Sequence, residues 1–117
     1  MAEDKASGAD AWQVFDISNL EKHLEGKPVE YREFLNVPAL SCGLYHLDKG
    51  STDMQSPHDD DEIYFVLRGR AQLKLGEEIH DVSTGSLLYV KATEQHSFFE
   101  IEEDMTLLVF FARSIPE

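Results

Sequence analysis

Bulky apolar residues alternate with polar ones in short runs along this chain, and turn-forming residues separate the runs. A period of two is typical of strands that bury one face. Strands are predicted over residues 12–17, 29–34, 40–47, 63–67, 70–75, 79–82, 87–90 and 106–112. One short helix is predicted over residues 18–24, because Ser18 and Glu21 have the spacing of a capping box and Gly26 follows. Short strands with one brief helix indicate an all-β fold, an antiparallel barrel of roughly six to eight strands.

The stretch from 55 to 69 carries the first candidate chemistry. It places an imidazole, His58, and a carboxylate, Glu62, on either side of three aspartates at positions 59–61. Aspartate suits turns, so we expect a hairpin loop here, with His58 ending one strand and Glu62 starting the next. Cross-strand neighbours have β-carbons roughly 4.5–5.5 Å apart. Both side chains can therefore reach one cation that needs bonds of about 2.0–2.2 Å.

The stretch from 85 to 96 repeats this arrangement. A predicted strand at 87–90 ends in a polar turn, and His96 follows just before the next apolar segment. We expect His58, Glu62 and His96 to form one metal site. Two histidines and one carboxylate leave coordination positions open, an arrangement associated with non-haem Fe(II), with zinc, manganese, nickel and copper as alternatives. Taken singly, each residue also has an ordinary explanation as a hydrogen-bonded or exposed polar side chain.

The two stretches resemble the paired motifs of the cupin superfamily. The matching positions are Gly50, His58, Glu62 and Gly69 in the first motif and Gly85 and His96 in the second. The departures are Ser56 in place of a first histidine, Lys91 and Thr93 in place of a proline and a glycine, and Glu100 in place of an asparagine. The resemblance spans residues 40–112 and implies a small single-domain cupin, a double-stranded β-helix or jelly-roll barrel. One of the four usual metal ligands is missing.

Strand parity extends the predicted site. Tyr64 shares a face with Glu62, so its hydroxyl is available to a substrate, and Phe98 walls the same cavity. Ser56 keeps the parity of His58 and is a candidate to hold a metal-bound water. Core packing alone also explains Tyr64, and a role as a small space-filling side chain also explains Ser56. The reserve ligands are Gln55, which needs a bulge to point inwards, and His46, for which we expect a structural role.

Two functions from different classes follow. The first is a small metal-dependent enzyme of the cupin type that acts on an unidentified small molecule by dioxygenase or isomerase/lyase chemistry. The alternative is a non-catalytic cupin that binds a small molecule or a metal for sensing or storage. The fold alone does not choose between them.

Composition narrows the class of partner. The chain has 117 residues, enough for one domain over residues 11–117 after a polar tail at 1–10. A formal charge of −13 repels phosphate backbones and anionic membranes, so we expect neither as a partner. No apolar run approaches the ~20 residues of a membrane span, and the first residues are polar, which favours a cytoplasmic protein.

The strand at 63–67 is apolar on both faces. If Glu62 and Tyr64 point into the barrel, then Ile63, Phe65 and Leu67 point out of it. A small barrel has too little chain to cover that outer face. We therefore expect a homodimer in which the partner covers it, for instance by exchanging the predicted strand near Trp12.

Overall fold

The computed structural model describes residues 11–53 and 59–113. Its elements are α1 (Ile17–Glu21), β1 (Val29–Val37), β2 (Leu40–Leu47), β3 (Asp61–Leu75), β4 (Glu78–Ser83), β5 (Leu87–Val90) and β6 (His96–Ala112). Every strand pair is antiparallel. The all-β prediction is confirmed, with one short helix. Among the described residues, no helix is long and apolar enough to cross a membrane.

Two long strands, β3 and β6, belong to both halves of the fold. The strand order is β1-β2-β6-β3-β4. The strand β5 lies outside this order and pairs with the edge of β3 that does not pair with β6. The first half of β3 pairs with β5 and the end of β6, and its second half pairs with β4 and the start of β6. Register shifts between Val66 and Gln72 separate the two halves. Such irregularities bend a sheet, so strands predicted separately at 63–67 and 70–75 are one bent strand.

Gly69 makes this bend feasible. Its φ is 102°, a conformation that side chains disfavour. A β-carbon at Gly69 would also overlap the backbone of Asp104 on β6. The position therefore requires glycine for both conformation and space.

The core fills the space between the two halves of the bent sheet. Its members come from strands of both halves and include Leu47, Tyr64, Leu73, Phe98 and Leu107, each at most 1% exposed. Burying a large apolar side chain contributes roughly 1.5–3 kcal/mol, so the apolar strands alone hold the barrel together. Cys42 is also buried, and burial raises the pKa of its thiol to about 11, as expected for an inert thiol.

The predicted strand at 12–17 is wrong. Residues 11–16 lie in no strand, and Trp12 and Val14 are 79% and 85% exposed. The alternating residues find no partner strand among the described residues, and Phe15 packs against Phe34 with ring centroids 4.9 Å apart. The alternating pattern at 12–17 therefore predicted a strand, but these residues pair with no strand in the described part of the chain.

The helix is present but begins earlier than predicted. Asp16, not Ser18, is its N-cap, because the Asp16 carboxylate accepts hydrogen bonds from the Ser18 and Asn19 amides at 2.9 and 3.4 Å. An aspartate two residues upstream competes with the serine for the same backbone donors. The helix ends at Glu21, within the two turns expected.

Candidate metal centre

The start of β3 and the start of β6 meet inside the barrel. Glu62 lies opposite Val90, where β5 ends, and the turn at 91–95 leads from there to His96. The Asp61 carboxylate fixes this turn by accepting a hydrogen bond from the Ala92 amide at 2.8 Å. As a result, His96 Nε2 lies 3.6 Å from Glu62 Oε2, with both residues buried at 7% and 1% exposure. The predicted approach of His96 to Glu62 is therefore found.

The hydrogen bonds of His96 define its tautomer. Its Nδ1 lies 2.9 Å from the carbonyl oxygen of Glu94, which can only accept, so Nδ1 carries the proton. In the neutral ring Nε2 then has a free lone pair. The hydroxyl of Tyr64, 2.9 Å away, donates to it. The Nε2 atom is therefore the acceptor of the pair and would be the ligand if a cation displaced the Tyr64 hydroxyl, as in metal-binding histidines whose other nitrogen is hydrogen-bonded.

Glu62 is a buried carboxylate with an unsatisfied oxygen. Its Oε1 has no hydrogen-bond partner among the described residues, and Oε2 is too far from His96 Nε2 for a hydrogen bond. An unpaired buried carboxylate is costly unless a cation or donor compensates it. Two ligands each about 2.0–2.2 Å from one ion lie roughly 3–3.6 Å apart, so the separation of this pair suits a shared divalent cation.

The third predicted ligand lies outside the described residues. His58 falls in the segment 54–58, together with Ser56 and Gln55, and so does the strand expected to end at His58. Within residues 11–53 and 59–113 no group of three histidine, cysteine, aspartate or glutamate side chains converges. The structure thus brings together two of the three predicted ligands, and His58 remains a prediction.

The other described histidine considered as a ligand is occupied elsewhere. His46 Nε2 bonds Asp48 Oδ1 at 2.7 Å, and Nδ1 lies 3.4 Å from Thr106 Oγ1. It alternates with Tyr45, whose side chain is in the core, so His46 points to the outer face of β2. It does not approach Glu62.

Tyr64 is more enclosed than a substrate-binding group at a cavity wall. It is 0% exposed, and its ring packs edge-on against His96 and Phe98 with centroids 5.8 and 5.3 Å away. Its described polar contact is with His96. Tyr64 therefore contacts the His96 imidazole with both its ring and its hydroxyl.

Sequence reasoning missed a second buried carboxylate, Asp53. It accepts hydrogen bonds from the Tyr45 hydroxyl at 2.6 Å and from the Phe98 amide at 2.8 Å. These bonds fix the chain immediately before the segment 54–58 to the core beside His96. No motif distinguishes Asp53 from the aspartates at 59–61, so the sequence carries no signal for this role.

A cavity of about 370 Å³ is lined mainly by residues of β1, β2 and the end of β6, and neither Glu62 nor His96 is among them. Its wall is mostly aromatic and apolar, and consists of Tyr31, Tyr45, Val109 and Phe111 with Ser41. Three charged side chains, Glu33, Asp60 and Arg113, complete the lining. Among the described residues, neither Tyr64 nor Phe98 contributes to it. The cavity has the size and the apolar character of small-molecule sites.

Two features place the cavity next to Glu62. Phe111, on the wall, is the sheet partner of Glu62. Tyr31 also lines the cavity. Burial is the main cause that raises the pKa of its hydroxyl, and the charge of Glu33 and, to a smaller extent, that of Glu62 raise it further. Gly43 allows this, because a β-carbon there would overlap the Tyr31 hydroxyl.

Comparison with known proteins identifies the family. The family model described as "Cupin domain" matches residues 43–111. The chain belongs to the cupin family. An uncharacterised protein of Streptomyces coelicolor is 42% identical over 100 residues, covering 86% of this chain and 95% of that protein. The resemblance and the cupin fold expected from the sequence are confirmed.

Two solved structures with the same fold are enzymes by name. The DMSP lyase DddQ of Ruegeria pomeroyi superposes with a TM-score of 0.70 at 15% identity, covering 77% of this chain and 49% of the lyase. The salicylate 1,2-dioxygenase of Pseudoaminobacter salicylatoxidans gives 0.67 at 16% identity, covering 73% and 25%. This cupin thus spans about half of one enzyme and a quarter of the other, and the likeness is one of fold.

Proposed function

We propose that this cupin is a metal-dependent enzyme acting on a small molecule. Glu62, His96 and His58 would hold a divalent cation, Fe(II) first, with zinc, manganese, nickel or copper as alternatives. The observation that carries the proposal is the fully buried Oε1 of Glu62, unpartnered in the described part of the chain, in a carboxylate whose other oxygen lies 3.6 Å from His96 Nε2. A barrel with no use for a cation gains nothing from leaving a buried carboxylate oxygen unsatisfied.

A bound cation of this kind polarises a substrate oxygen or activates dioxygen, which suits isomerase/lyase or dioxygenase chemistry. The described residues supply orientation. The Glu94 carbonyl keeps the proton on Nδ1 of His96, and the Tyr64 ring packs edge-on against the imidazole, while its hydroxyl would release Nε2 to a bound cation. Tyr64 therefore acts on His96 as a positioning residue, and Ser56 stays the predicted partner of a metal-bound water. The apolar wall of the cavity would bind the organic part of the substrate and exclude water.

Metal analysis tests this proposal directly. Protein purified without added metal and then loaded with Fe(II) or Zn²⁺ should bind one ion per chain, and Glu62→Gln and His96→Ala should each abolish stoichiometric binding. His46→Ala is the matched control and should keep the ion, because His46 is bonded to Asp48 on the outer face. Circular dichroism should show all variants folded. Metal content that survives both site substitutions would remove the basis of the proposal.

The second candidate, a binding protein without turnover, is favoured by the closure of the site. Glu62, Tyr64 and His96 are each at most 7% exposed, and the Tyr64 hydroxyl already bonds Nε2. A closed site suits retention of an ion better than rapid exchange of substrate. Dioxygen uptake and product analysis with any ligand that stabilises the metal-loaded protein separate the two, since a binding protein returns that ligand unchanged.

The proposal includes a homodimer formed through the outer face of β5, β3 and β6. Ile63 lies opposite Tyr89 on one side and Phe110 on the other, and the three are 40%, 61% and 37% exposed. Leu87, 69% exposed, extends the patch. An apolar surface of this kind is typical of subunit contacts. Sedimentation at micromolar concentration should give a dimer that Tyr89→Glu dissociates, whereas a wild-type monomer would contradict it. A cytoplasmic location is also proposed, on composition alone.

A further inference from the structure

The rim of the cavity keeps opposite charges apart. The Arg113 guanidinium donates from Nη1 to the Val37 carbonyl at 2.5 Å and from Nη2 to Asn36 Oδ1 at 2.7 Å. The other end of the Asn36 amide donates to Glu33 Oε2 at 2.9 Å. Among the described residues, Arg113 forms no ion pair with a carboxylate. An amide therefore lies between the guanidinium and the carboxylate, and both charges stay available.

The Asn36 amide bridges the Arg113 guanidinium and the Glu33 carboxylate in place of a direct ion pair. Arginine and glutamate within reach of each other normally pair directly, often through two parallel hydrogen bonds. Here neutral acceptors orient Arg113 without neutralising it, and Glu33 uses a single oxygen on the amide. Val109, Phe111 and Arg113 alternate along β6 and its extension, so the guanidinium lies on the side of the cavity wall.

We propose that the cavity binds a small α-amino-acid-like zwitterion. Its carboxylate would pair with Arg113 and its ammonium group with Glu33, and Asp60 also lines the cavity. Its side chain would lie along the apolar wall, towards Phe111 and its sheet partner Glu62. This inference rests on the proposed function, since it names the substrate class of the cavity beside the metal pair.

The charge balance excludes simpler ligands. A plain carboxylate gains Arg113 but meets Glu33 and Asp60, and a plain amine gains the two carboxylates but meets Arg113. Only a molecule with both charges on neighbouring atoms satisfies the rim, and an uncharged one leaves its polar groups unused.

Three probes of similar size separate these cases: norvaline, pentanoate and 1-aminobutane. Binding is followed by NMR chemical-shift titration in chelator, so that no metal contributes. We expect norvaline to bind at least about tenfold more tightly than either single-charge probe. 5-Aminopentanoate, whose charges are far apart, should bind no better than pentanoate. Equal binding of norvaline and pentanoate, or no binding of any probe, would overturn the inference.

Matched variants assign the contacts. Arg113→Gln should lower the affinity for norvaline at least about tenfold, to that of 1-aminobutane. Glu33→Gln should lower the affinity for norvaline to that of pentanoate. Arg70→Gln removes the same charge from the outer surface, where Arg70 pairs with Glu102, and should change nothing. Norvaline binding by Arg113→Gln equal to that by Arg70→Gln would contradict the proposal.

Two further measurements guard against indirect effects. Arg113→Lys keeps the charge but not the fork, so it should retain the fold and bind norvaline with intermediate affinity. Both Arg113 variants should still load one metal ion per chain, because neither touches Glu62 or His96. Loss of zwitterion binding with metal retained separates this site from the proposed metal centre. Metal loss in the wild-type protein with zwitterion binding intact would instead fault the metal proposal alone.

Discussion

Two neighbouring regions of the barrel interior each hold a buried carboxylate, and the two carboxylates are treated in opposite ways. Asp53 is 7% exposed and accepts hydrogen bonds on both oxygens, from Tyr45 and Phe98. Glu62 is 1% exposed and has an oxygen with no described partner. The two carboxylates are buried to a similar degree, and they differ in whether both oxygens accept hydrogen bonds.

The difference separates a structural carboxylate from a functional one. Hydrogen bonds repay the desolvation of Asp53, and the result is a chain segment fixed to the core. Glu62 lacks a hydrogen-bond partner at Oε1 among the described residues, so its burial is compensated less fully than that of Asp53 and costs stability in the metal-free protein. A cation is the partner that would reverse this.

The largest expected effect is on Asp53. Asp53→Ala should lower the free energy of unfolding by about 3 kcal/mol, because it leaves the Tyr45 hydroxyl and the Phe98 amide buried without acceptors. Urea denaturation measures this. Asp81→Ala, which removes an exposed carboxylate bonded to Gln72, is the control and should stay within about 0.5 kcal/mol. Equal effects of the two substitutions would erase the contrast between the regions.

Glu62→Gln should change the free energy of unfolding in the opposite direction to Asp53→Ala. In chelator the variant should be more stable than the wild type by about 1 kcal/mol, because a neutral amide replaces a buried carboxylate that has an oxygen unsatisfied by the described residues. With metal present the order should reverse, since only the wild type gains binding energy. Thermal denaturation with and without Zn²⁺ tests both. Destabilisation in chelator as large as that of Asp53→Ala would mean that Glu62 has a partner of its own.

The stability of the protein at alkaline pH tests the hydrogen bond between Tyr45 and Asp53. Burial, and then the hydrogen bond to Asp53, raises the pKa of the Tyr45 hydroxyl above its ordinary value of 10.0. The unfolded chain therefore loses this proton first, so the contribution of Tyr45 to stability is constant below about pH 10 and falls as pH rises further, by about 1 kcal/mol per pH unit. Tyr45→Phe should flatten that decline in equilibrium unfolding. An unchanged slope would show that Tyr45 does not titrate with unfolding.

The smallest effect is expected at an exposed carboxylate outside both regions. Hydrogen bonds from the Ser18 hydroxyl and from the Asn19 and Ser18 amides lower the pKa of Asp16. Its stabilisation of α1 is thus present at neutral pH and is lost as pH falls below the ordinary value of 3.8. Asp16→Asn, which can still cap, should reduce this acid dependence with little change at pH 7. A large loss at pH 7 would assign α1 a greater role than its exposure suggests.

The sequence predicts elements better than it predicts long-range contacts. β2 and β5 coincide with the predicted ranges 40–47 and 87–90, because turn residues bound their apolar runs. The range 12–17 has the same alternation but no partner strand, and alternation does not encode pairing. The approach of Glu62 and His96 was predictable because both begin strands after polar turns.

Other contacts of the site were beyond such reasoning. Asn36 and Arg113 are 77 positions apart, and the order of β1, β2 and β6 brings them together. Asp53 lies in a loop with no periodicity, and its partners depend on how the sheet folds over it. Local pattern carries no information about either, because both depend on sheet topology.

The central claim is that Glu62 and His96 share a cation. Anomalous diffraction from crystals of the protein loaded with Zn²⁺ tests it most directly. We predict one strong peak within about 2.0–2.3 Å of both a Glu62 carboxylate oxygen and His96 Nε2, with His58 as the third ligand. A peak at His46 and Asp48 instead, or no peak between Glu62 and His96, would contradict the account.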